Sequence, residues 1–221
     1  MSKIMIAVPC MDQVPTPFAL SLAMIRKPEG DEFACATRMG SLIYNSRNDL
    51  ALQAITAEFD WVFWLDSDMV FQQDILVRML DVARKNDLDF LSGLYFRRTA
   101  PYSPVAFDHL EVNEDGECEW SEFEELPQSL FEVGGCGFGC VLIKVSVLDA
   151  VREKYADMFM PIAHMGEDLS FCWRARQLGY KIWMDPTIIL GHVGYSVINR
   201  KFYESYKSVQ EREEANNEKS D

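Results

Sequence analysis

Residues 61–68 read Trp61-Val62-Phe63-Trp64-Leu65-Asp66-Ser67-Asp68, five apolar residues followed at once by two aspartates. The apolar run predicts a strand buried on both faces, as in the centre of a parallel sheet covered by helices. Ligands of open α/β sheets bind at the carboxyl ends of strands, so both carboxylates are expected at the functional edge. In an extended segment residues two apart point the same way, which lets both aspartates reach one cation. Alternatively, Asp66 caps the following helix and Asp68 is merely solvated.

Strand-like and helix-like patterns alternate on either side of this stretch. Further strands are predicted at residues 4–8, 32–37, 88–94, 141–145, 180–184 and 187–190, and helices at 18–26, 46–59, 73–86, 146–155, 167–178 and 197–214. This alternation predicts an α/β fold with a single doubly wound, mostly parallel sheet. Residues 111–120, around Asn113-Glu114-Asp115-Gly116, add a small polar β-hairpin.

Length and composition narrow the class of protein. A chain of 221 residues normally forms one domain, which we expect at residues 1–200, followed by a helix and charged tail at 201–221. The net charge of −14 argues against nucleic acid as a partner. No apolar run reaches the roughly 18 residues of a membrane helix, and the N-terminus lacks the features of a signal peptide. The six scattered cysteines form no Cys-x-x-Cys pair, so we expect reduced thiols in a cytoplasmic protein.

Three further segments contain candidate residues for catalysis or ligand binding. Glu167 and Asp168 follow Gly166 at the start of a predicted helix, where the helix dipole favours carboxylates whether or not one of them is a general base. His192 lies between Gly191 and Gly194, which clear space for a ligand, although a lone histidine is more often a packed residue. The glycine-rich run at 134–139 fits no phosphate loop, and it serves either as a turn or as a place where a ligand approaches the backbone.

Together these segments resemble the GT-A-fold glycosyltransferases, particularly the family 2 type, from Ile4 to about Tyr195. The matching segments, in chain order, are Val8-Pro9-Cys10-Met11-Asp12, Ser46-Arg47-Asn48, Asp66-Ser67-Asp68, the glycine-rich run before Val141-Leu142-Ile143, Gly166-Glu167-Asp168 and His192. The resemblance implies a nucleotide-sugar donor (a UDP- or GDP-sugar) and an acceptor that offers a hydroxyl group.

The resemblance also implies a metal site. Asp68 would bind Mn²⁺ or Mg²⁺ directly, Asp66 would contact the ribose or the metal and its water, and His192 would be the third protein contact near the ion. The metal would bridge the two phosphates and stabilise the departing nucleoside diphosphate as a Lewis acid.

The remaining site residues are implied in the same way. Asp168, with Glu167 beside it, resembles the general base of inverting members. Residues expected in the nucleotide cradle are Pro9, Asp12, Thr37 and Arg47, and those expected in the donor-sugar wall are Gly135 and Gly137.

Two alternatives stay open at this point. A nucleotidyltransferase also uses paired aspartates, but its first loop usually contains Gly with Lys or Arg, and residues 9–17 contain none of these. A non-catalytic sugar-nucleotide-binding module would not need the full set of Asp66, Asp68, Asp168 and His192. The chain is short and the acidic hairpin matches no known motif, so the acceptor is undetermined.

Overall fold

The structure, a computed structural model, describes residues 1–194 and 197–217, the last five by their backbone alone. Its strands are β1 Lys3–Cys10, β2 Glu32–Met39, β3 Trp61–Leu65, β4 Met69–Val70, β5 Phe90–Leu94, β6 Ala106–Val112, β7 Cys118–Glu122, β8 Phe131–Val133, β9 Gly135–Cys136, β10 Cys140–Lys144, β11 Ile182–Ile189, β12 Gly191–Val193 and β13 Val197–Ile198. Its helices are α1 Thr16–Ala23, α2 Ile43–Thr56, α3 Ile75–Lys85, α4 Val145–Tyr155, α5 Glu167–Gln177 and α6 Arg200–Asn217.

Seven strands form the central sheet in the order β2-β1-β3-β10-β5-β11-β8. Strands β2, β1 and β3 are parallel, as are β5 and β11. Strand β10 runs antiparallel to both β3 and β5, so these two groups share one direction, while β8 runs antiparallel to β11. The expected α/β class with a mostly parallel sheet is confirmed.

Strand β3 lies in the interior of this sheet, between β1 and β10, and is buried on both faces, as its five apolar residues predict. Val62 and Trp64 face the core formed with α2, α4 and α5, whereas Phe63 and Leu65 face the core formed with α3. Burial of each such side chain contributes about 1.5–3 kcal/mol, so β3 is held rigidly between the helix layers. The residues that follow it therefore start from a fixed position.

The prediction of two strands at 180–184 and 187–190 was wrong, because β11 runs through both. Pro186 has no N–H to donate, but the Asp185 carboxylate Oδ1 accepts hydrogen bonds from the Thr187 N–H at 2.8 Å and its hydroxyl at 2.7 Å. The register with β5 shifts between Asp185 and Ile189, and this bulge accommodates the proline without ending the strand.

Two small sheets add to the central one. Strand β12 pairs antiparallel with β4 and β13, with His192 opposite Met69, and the Val193 N–H donates to the Asp68 carbonyl at 2.8 Å. Strands β6 and β7 form the expected hairpin, longer than predicted, and β6 also pairs with β9. In the hairpin turn the Asn113 side-chain oxygen accepts from the N–H groups of Asp115 and Glu117.

Helix α6 begins at Arg200, because the two residues of β13 precede it. Its Tyr203 stacks on Phe96 at 4.9 Å, and Phe202 and Tyr206 meet Tyr102 edge-on at the same separation. Residues 218–221 of the expected charged tail lie outside the described residues, and the domain limits of 1–200 and 201–221 stay a prediction. No helix within residues 1–194 and 197–217 combines the length and apolarity needed to cross a membrane.

Candidate active site at the carboxyl edge of the sheet

Arg47 joins two of the candidate carboxylates. From α2, its Nη2 donates to Asp66 Oδ1 at 2.7 Å and its Nε donates to Glu167 Oε1 at 3.1 Å. The side chain is 1% exposed, and its guanidinium carbon lies 5.2 Å from the centre of the Phe138 ring. The charges of Asp66 and Glu167 outweigh the effect of burial and raise the pKa of Arg47. This buried cation therefore fixes the end of β3 against the start of α5.

One nitrogen of the same guanidinium is unsatisfied. Arg47 Nη1 is buried and has no hydrogen-bond partner among the described residues. A buried donor without an acceptor costs about 1–3 kcal/mol, so such a group in a native fold calls for a specific explanation. The expectation that Arg47 contacts a nucleotide stays a prediction.

Asp68 and His192 meet through the pairing of β4 with β12. His192 Nε2 lies 3.2 Å from Asp68 Oδ2, and Nδ1 lies 2.9 Å from the Phe96 carbonyl oxygen. A carbonyl can only accept, so Nδ1 carries a proton and Nε2 is the nitrogen that faces Asp68. Burial alone would raise the pKa of Asp68, but the hydrogen bond from His192 and the charge of Arg98 lower it, and Asp68 in turn raises the pKa of His192 against the effect of burial.

The donor atoms of this pair suit a divalent cation. Adjacent ligands of an octahedral ion with bonds of 2.0–2.1 Å lie about 3 Å apart, close to the 3.2 Å between Nε2 and Oδ2. The Phe96 carbonyl fixes the ring as a metal-binding histidine requires. Within the described part of the chain, no three His, Cys, Asp or Glu side chains gather closely enough to enclose an ion. Asp68 Oδ2 and His192 Nε2 are thus two candidate donor atoms among the described residues, and an ion at this pair would need further ligands.

Asp168 is a partly buried carboxyl group at the first turn of α5. Its Oδ1 accepts a hydrogen bond from the Leu169 N–H at 2.8 Å. Burial, then the neighbouring charge of Glu167, raise its pKa to about 6, although Leu169 and Arg47 act in the opposite direction. A carboxyl group that titrates near neutrality is suited to accept a proton.

Tyr95 was not among the sequence candidates, yet it connects the parts of the site. Its buried hydroxyl accepts a hydrogen bond from the Gly139 N–H at 3.1 Å, and its ring meets His192 edge-on at 5.7 Å. Burial and the charges of Asp66 and Asp168 raise its pKa. Both Tyr95 and Arg98 follow the carboxyl end of β5, and the criterion that singled out Asp66 could have found them.

Packing inside the protein explains why glycine stands at positions 135 and 137. A Cβ at Gly137 would overlap the Tyr95 hydroxyl and lie 2.7 Å from Val105, and one at Gly135 would lie 2.8 Å from Leu110. Both glycines are buried, so their expected contact with a donor sugar stays a prediction.

The other expected cradle residues lie along the first two strands. Pro9 is buried near the end of β1, Asp12 is exposed in the loop after it, and Thr37 is exposed on β2 opposite Val8. Thr37 borders a cavity of about 600 Å³ with Arg38, and the lining of this cavity includes neither Asp66 nor Asp68. That cavity therefore does not connect Thr37 with Asp66 and Asp68. The expectation that these residues bind one nucleotide together stays a prediction.

Comparisons with known proteins address the fold. The structure superposes on the crystal structure of A197 from STIV with a TM-score of 0.62 and 18% identity, covering 88% of this chain and 86% of that one. It superposes on GalNAc-T7, solved with UDP, GalNAc and Mn²⁺, with a TM-score of 0.59 and 9% identity, covering 88% of this chain and 43% of that one. The chain has the GT-A fold. The resemblance seen in the sequence is confirmed at this level.

Sequence comparison finds one further similarity. The chain is 22% identical over 190 residues to the mannan polymerase complex subunit mnn9 of Schizosaccharomyces pombe, with 74% of this chain covered. The match spans 55% of that protein, so the chain corresponds to about half of its length. No protein-family model matches the sequence.

Proposed function

We propose that this chain is a metal-dependent glycosyltransferase that moves a sugar from a UDP- or GDP-sugar to an acceptor hydroxyl. One observation carries the proposal: the Asp68–His192 pair and the Arg47-linked carboxylates Asp66 and Glu167 lie at the carboxyl edge of a GT-A sheet, the edge where open α/β sheets bind ligands. The similarity to a mannan polymerase subunit and to GalNAc-T7, whose structure contains UDP, GalNAc and Mn²⁺, supports it.

Asp68 and His192 would hold Mn²⁺ or Mg²⁺, which when bound supplies a positive charge that stabilises the leaving diphosphate. Among the described residues the Asp68–His192 pair would provide two ligand atoms, so diphosphate oxygens and water would complete the coordination. Asp66, positioned by Arg47, would contact the ribose or the water around the ion. The metal is then expected to bind much more tightly with a nucleoside diphosphate than alone.

Asp168 would act as the base in an inverting displacement. The acceptor oxygen forms a bond to the anomeric carbon as the bond from that carbon to the diphosphate oxygen breaks. The electron pair of the broken bond leaves with the diphosphate, and the hydroxyl proton passes to the Asp168 carboxylate. Its pKa of about 6 leaves Asp168 largely ionised at neutral pH while keeping it basic enough to take a proton.

The test is calorimetric binding of UDP and GDP with Mn²⁺ or with EDTA, followed by turnover of a panel of UDP- and GDP-sugars. Asp68→Asn should abolish the difference between Mn²⁺ and EDTA. Asp168→Asn should retain nucleotide binding while turnover falls by roughly 10²–10⁴. Asp149→Asn, which removes a carboxylate paired with Arg152 on α4, is the control and should change neither quantity.

Each part of the proposal can fail separately. Equal nucleotide affinity in EDTA would remove the metal. Normal turnover by Asp168→Asn would remove the base and favour a retaining mechanism. Tight nucleotide binding without turnover of any sugar nucleotide would favour the non-catalytic binding module.

A further inference from the structure

A cavity of about 440 Å³ lies between the β6–β7 hairpin and the loop at 161–166 that precedes α5. Its volume falls within the range of small-molecule sites. Gly166 and Leu169, on either side of Glu167 and Asp168, belong to its lining. Asp168 Oδ1 would lie 2.8 Å from a Cβ on Gly166, so the carboxylate lies directly over that glycine. Asp168 itself is not part of the lining, but the glycine beside its carboxylate is, so the cavity reaches the immediate neighbourhood of the proposed base.

The outer wall of the cavity is aromatic. Trp120, on β7, is 51% exposed although it borders the cavity, and it meets Phe107 edge-on at 5.4 Å. The contact with Phe107, in the neighbouring strand β6, fixes the orientation of the indole while much of its surface stays open. A large exposed apolar ring in a concave site is typical of a surface that a ligand covers.

Polar groups surround this ring. Arg97, Glu117 and His164 all line the cavity. The Arg97 guanidinium is fixed by an ion pair with Glu122 at 3.1 Å, and it lies 5.9 Å from the centre of the Phe107 ring. An aromatic face beside hydrogen-bonding groups matches a sugar ring, which has C–H groups on its faces and hydroxyls around its edge.

The loop that carries His164 is held in a strained conformation. Ala163 and His164 have φ values of +47° and +62°, and such left-handed conformations cost about 1–2 kcal/mol per non-glycine residue. Two hydrogen bonds stabilise the loop, from the Met165 N–H to the Ile162 carbonyl at 2.8 Å and from the Ile162 N–H to the Ser170 hydroxyl at 3.0 Å. The imidazole thus projects from a fixed point on the rim.

Charge limits the kind of ligand further. Residues 111–122 of the hairpin contain six carboxylates and no Lys or Arg. Glu117 lines the cavity, whereas Glu122 is paired with Arg97 and Glu111 with Arg176. The carboxylates that remain outside these ion pairs disfavour an acceptor that carries phosphate. They do not disfavour a neutral ligand with many hydroxyls.

We infer that this cavity is the acceptor site and binds a neutral carbohydrate, one ring of which stacks on Trp120 and presents a hydroxyl to Asp168. The inference rests on the proposed function and gives the acidic hairpin a role in it. Trp120 would determine acceptor affinity, and it would have no role in binding the nucleotide.

The experiment measures binding of methyl α-mannoside, methyl β-galactoside and methyl N-acetyl-β-glucosaminide by saturation-transfer NMR and calorimetry, in the presence of UDP or GDP with Mn²⁺. At least one glycoside should bind, with affinity that falls about three- to tenfold in Trp120→Ala and less in Trp120→Phe. Val209→Ala, on α6 and 50% exposed, is the control matched in exposure. Circular dichroism checks that each variant is folded.

The outcomes separate this inference from the proposed function. Unchanged sugar affinity in Trp120→Ala would overturn it, as would no sugar binding by a wild-type protein that binds nucleotide with Mn²⁺. Trp120-dependent binding of a basic peptide in place of sugars would overturn it as well. Trp120-dependent sugar binding without any nucleotide binding would retain the carbohydrate site while the proposed transferase fails.

Discussion

Arg98 Nη1 donates a 2.7 Å hydrogen bond to Asp68 Oδ2, the same carboxylate oxygen that faces His192. The oxygen best placed for a divalent cation is therefore already paired with a guanidinium. The Arg98 side chain is 56% exposed, so it can leave the carboxylate for solvent without a rearrangement of the core.

Replacing Arg98 with Met should strengthen the binding of Mn²⁺ in the absence of nucleotide. The substitution removes a competing cation, and an exposed ion pair of this kind is worth about 0.2–1 kcal/mol, so the gain should be roughly 1.4- to fivefold. Electron paramagnetic resonance of free Mn²⁺ measures it directly. Arg97→Met is the control, because Arg97 pairs with Glu122 on the hairpin and should leave Mn²⁺ affinity unchanged. Weaker binding in Arg98→Met would contradict the competition.

Arg47→Met should destabilise the protein by about 3–5 kcal/mol. Removing one partner of a buried ion pair leaves its carboxylates, here Asp66 and Glu167, without compensation. Arg47→Lys should recover only part of this loss, because an ammonium group cannot reproduce the two fixed directions of the guanidinium. Urea unfolding gives the values, and Arg38→Met, which breaks the exposed pair with Asp49, should cost at most about 1 kcal/mol. Similar losses in the two methionine variants would mean that burial of Arg47 carries no special weight.

Asp168→Asn should stabilise the fold while it impairs turnover. The folded-state pKa of about 6 exceeds the ordinary value of 3.8, so the unfolded chain ionises first as the pH rises. Below pH 3.8 there is no penalty, and between pH 3.8 and about 6 the free energy of unfolding falls by up to about 3 kcal/mol. The asparagine variant lacks this penalty. Its melting temperature should exceed that of wild type by several degrees at pH 8 and by about half as much at pH 5.

Thermal unfolding of Asp168→Asn and wild type at both pH values checks the sign. Asp149→Asn again serves as the control, because its exposed carboxylate is paired with Arg152 on the surface. A variant less stable than wild type at pH 8 would show that the Asp168 carboxylate stabilises the native state.

Gly137→Ala and Tyr95→Phe should be coupled. A Cβ at Gly137 would overlap the Tyr95 hydroxyl but lie 3.1 Å from the ring carbon that carries it, so removing the hydroxyl relieves the closest overlap and leaves the 2.7 Å approach to Val105. Each single change should destabilise, the alanine by about 1–3 kcal/mol through overpacking and the phenylalanine by leaving the Gly139 N–H unpaired. The double variant should be less destabilised than the two losses added together. Strict additivity in urea unfolding would exclude the contact as the reason for glycine.

Much of the framework follows from local pattern. Five consecutive apolar residues were enough to place β3, and its position predicted that Asp66 and Asp68 lie at the functional edge. The apolar stripe of α2 also predicts that Arg47 is buried. Arg47 precedes Leu50 and Ala51 by three and four residues, so it shares their buried face. A charged residue in that position signals a buried ion pair, although its partners cannot be read from spacing.

The rest depends on contacts between distant segments. Strands β4 and β12 contain two and three residues, too few for any periodicity to predict them. Their pairing is what brings His192 to Asp68. The continuation of β11 through Pro186 depends on side-chain hydrogen bonds from Thr187 to Asp185, which a pattern of apolar residues does not record.

The pairing of β4 with β12 also affects how the chain folds. Asp68 and His192 are 124 residues apart, and closing a flexible loop of that length costs about 4 kcal/mol in chain entropy. During synthesis Asp68 emerges long before its partner exists. A cation held by both side chains would bind only chains in which this loop has closed, and by mass action it would stabilise those molecules alone. A bound metal would then mark a chain that has finished folding. A chain that ends before β12 lacks His192 and would not bind the metal in this way.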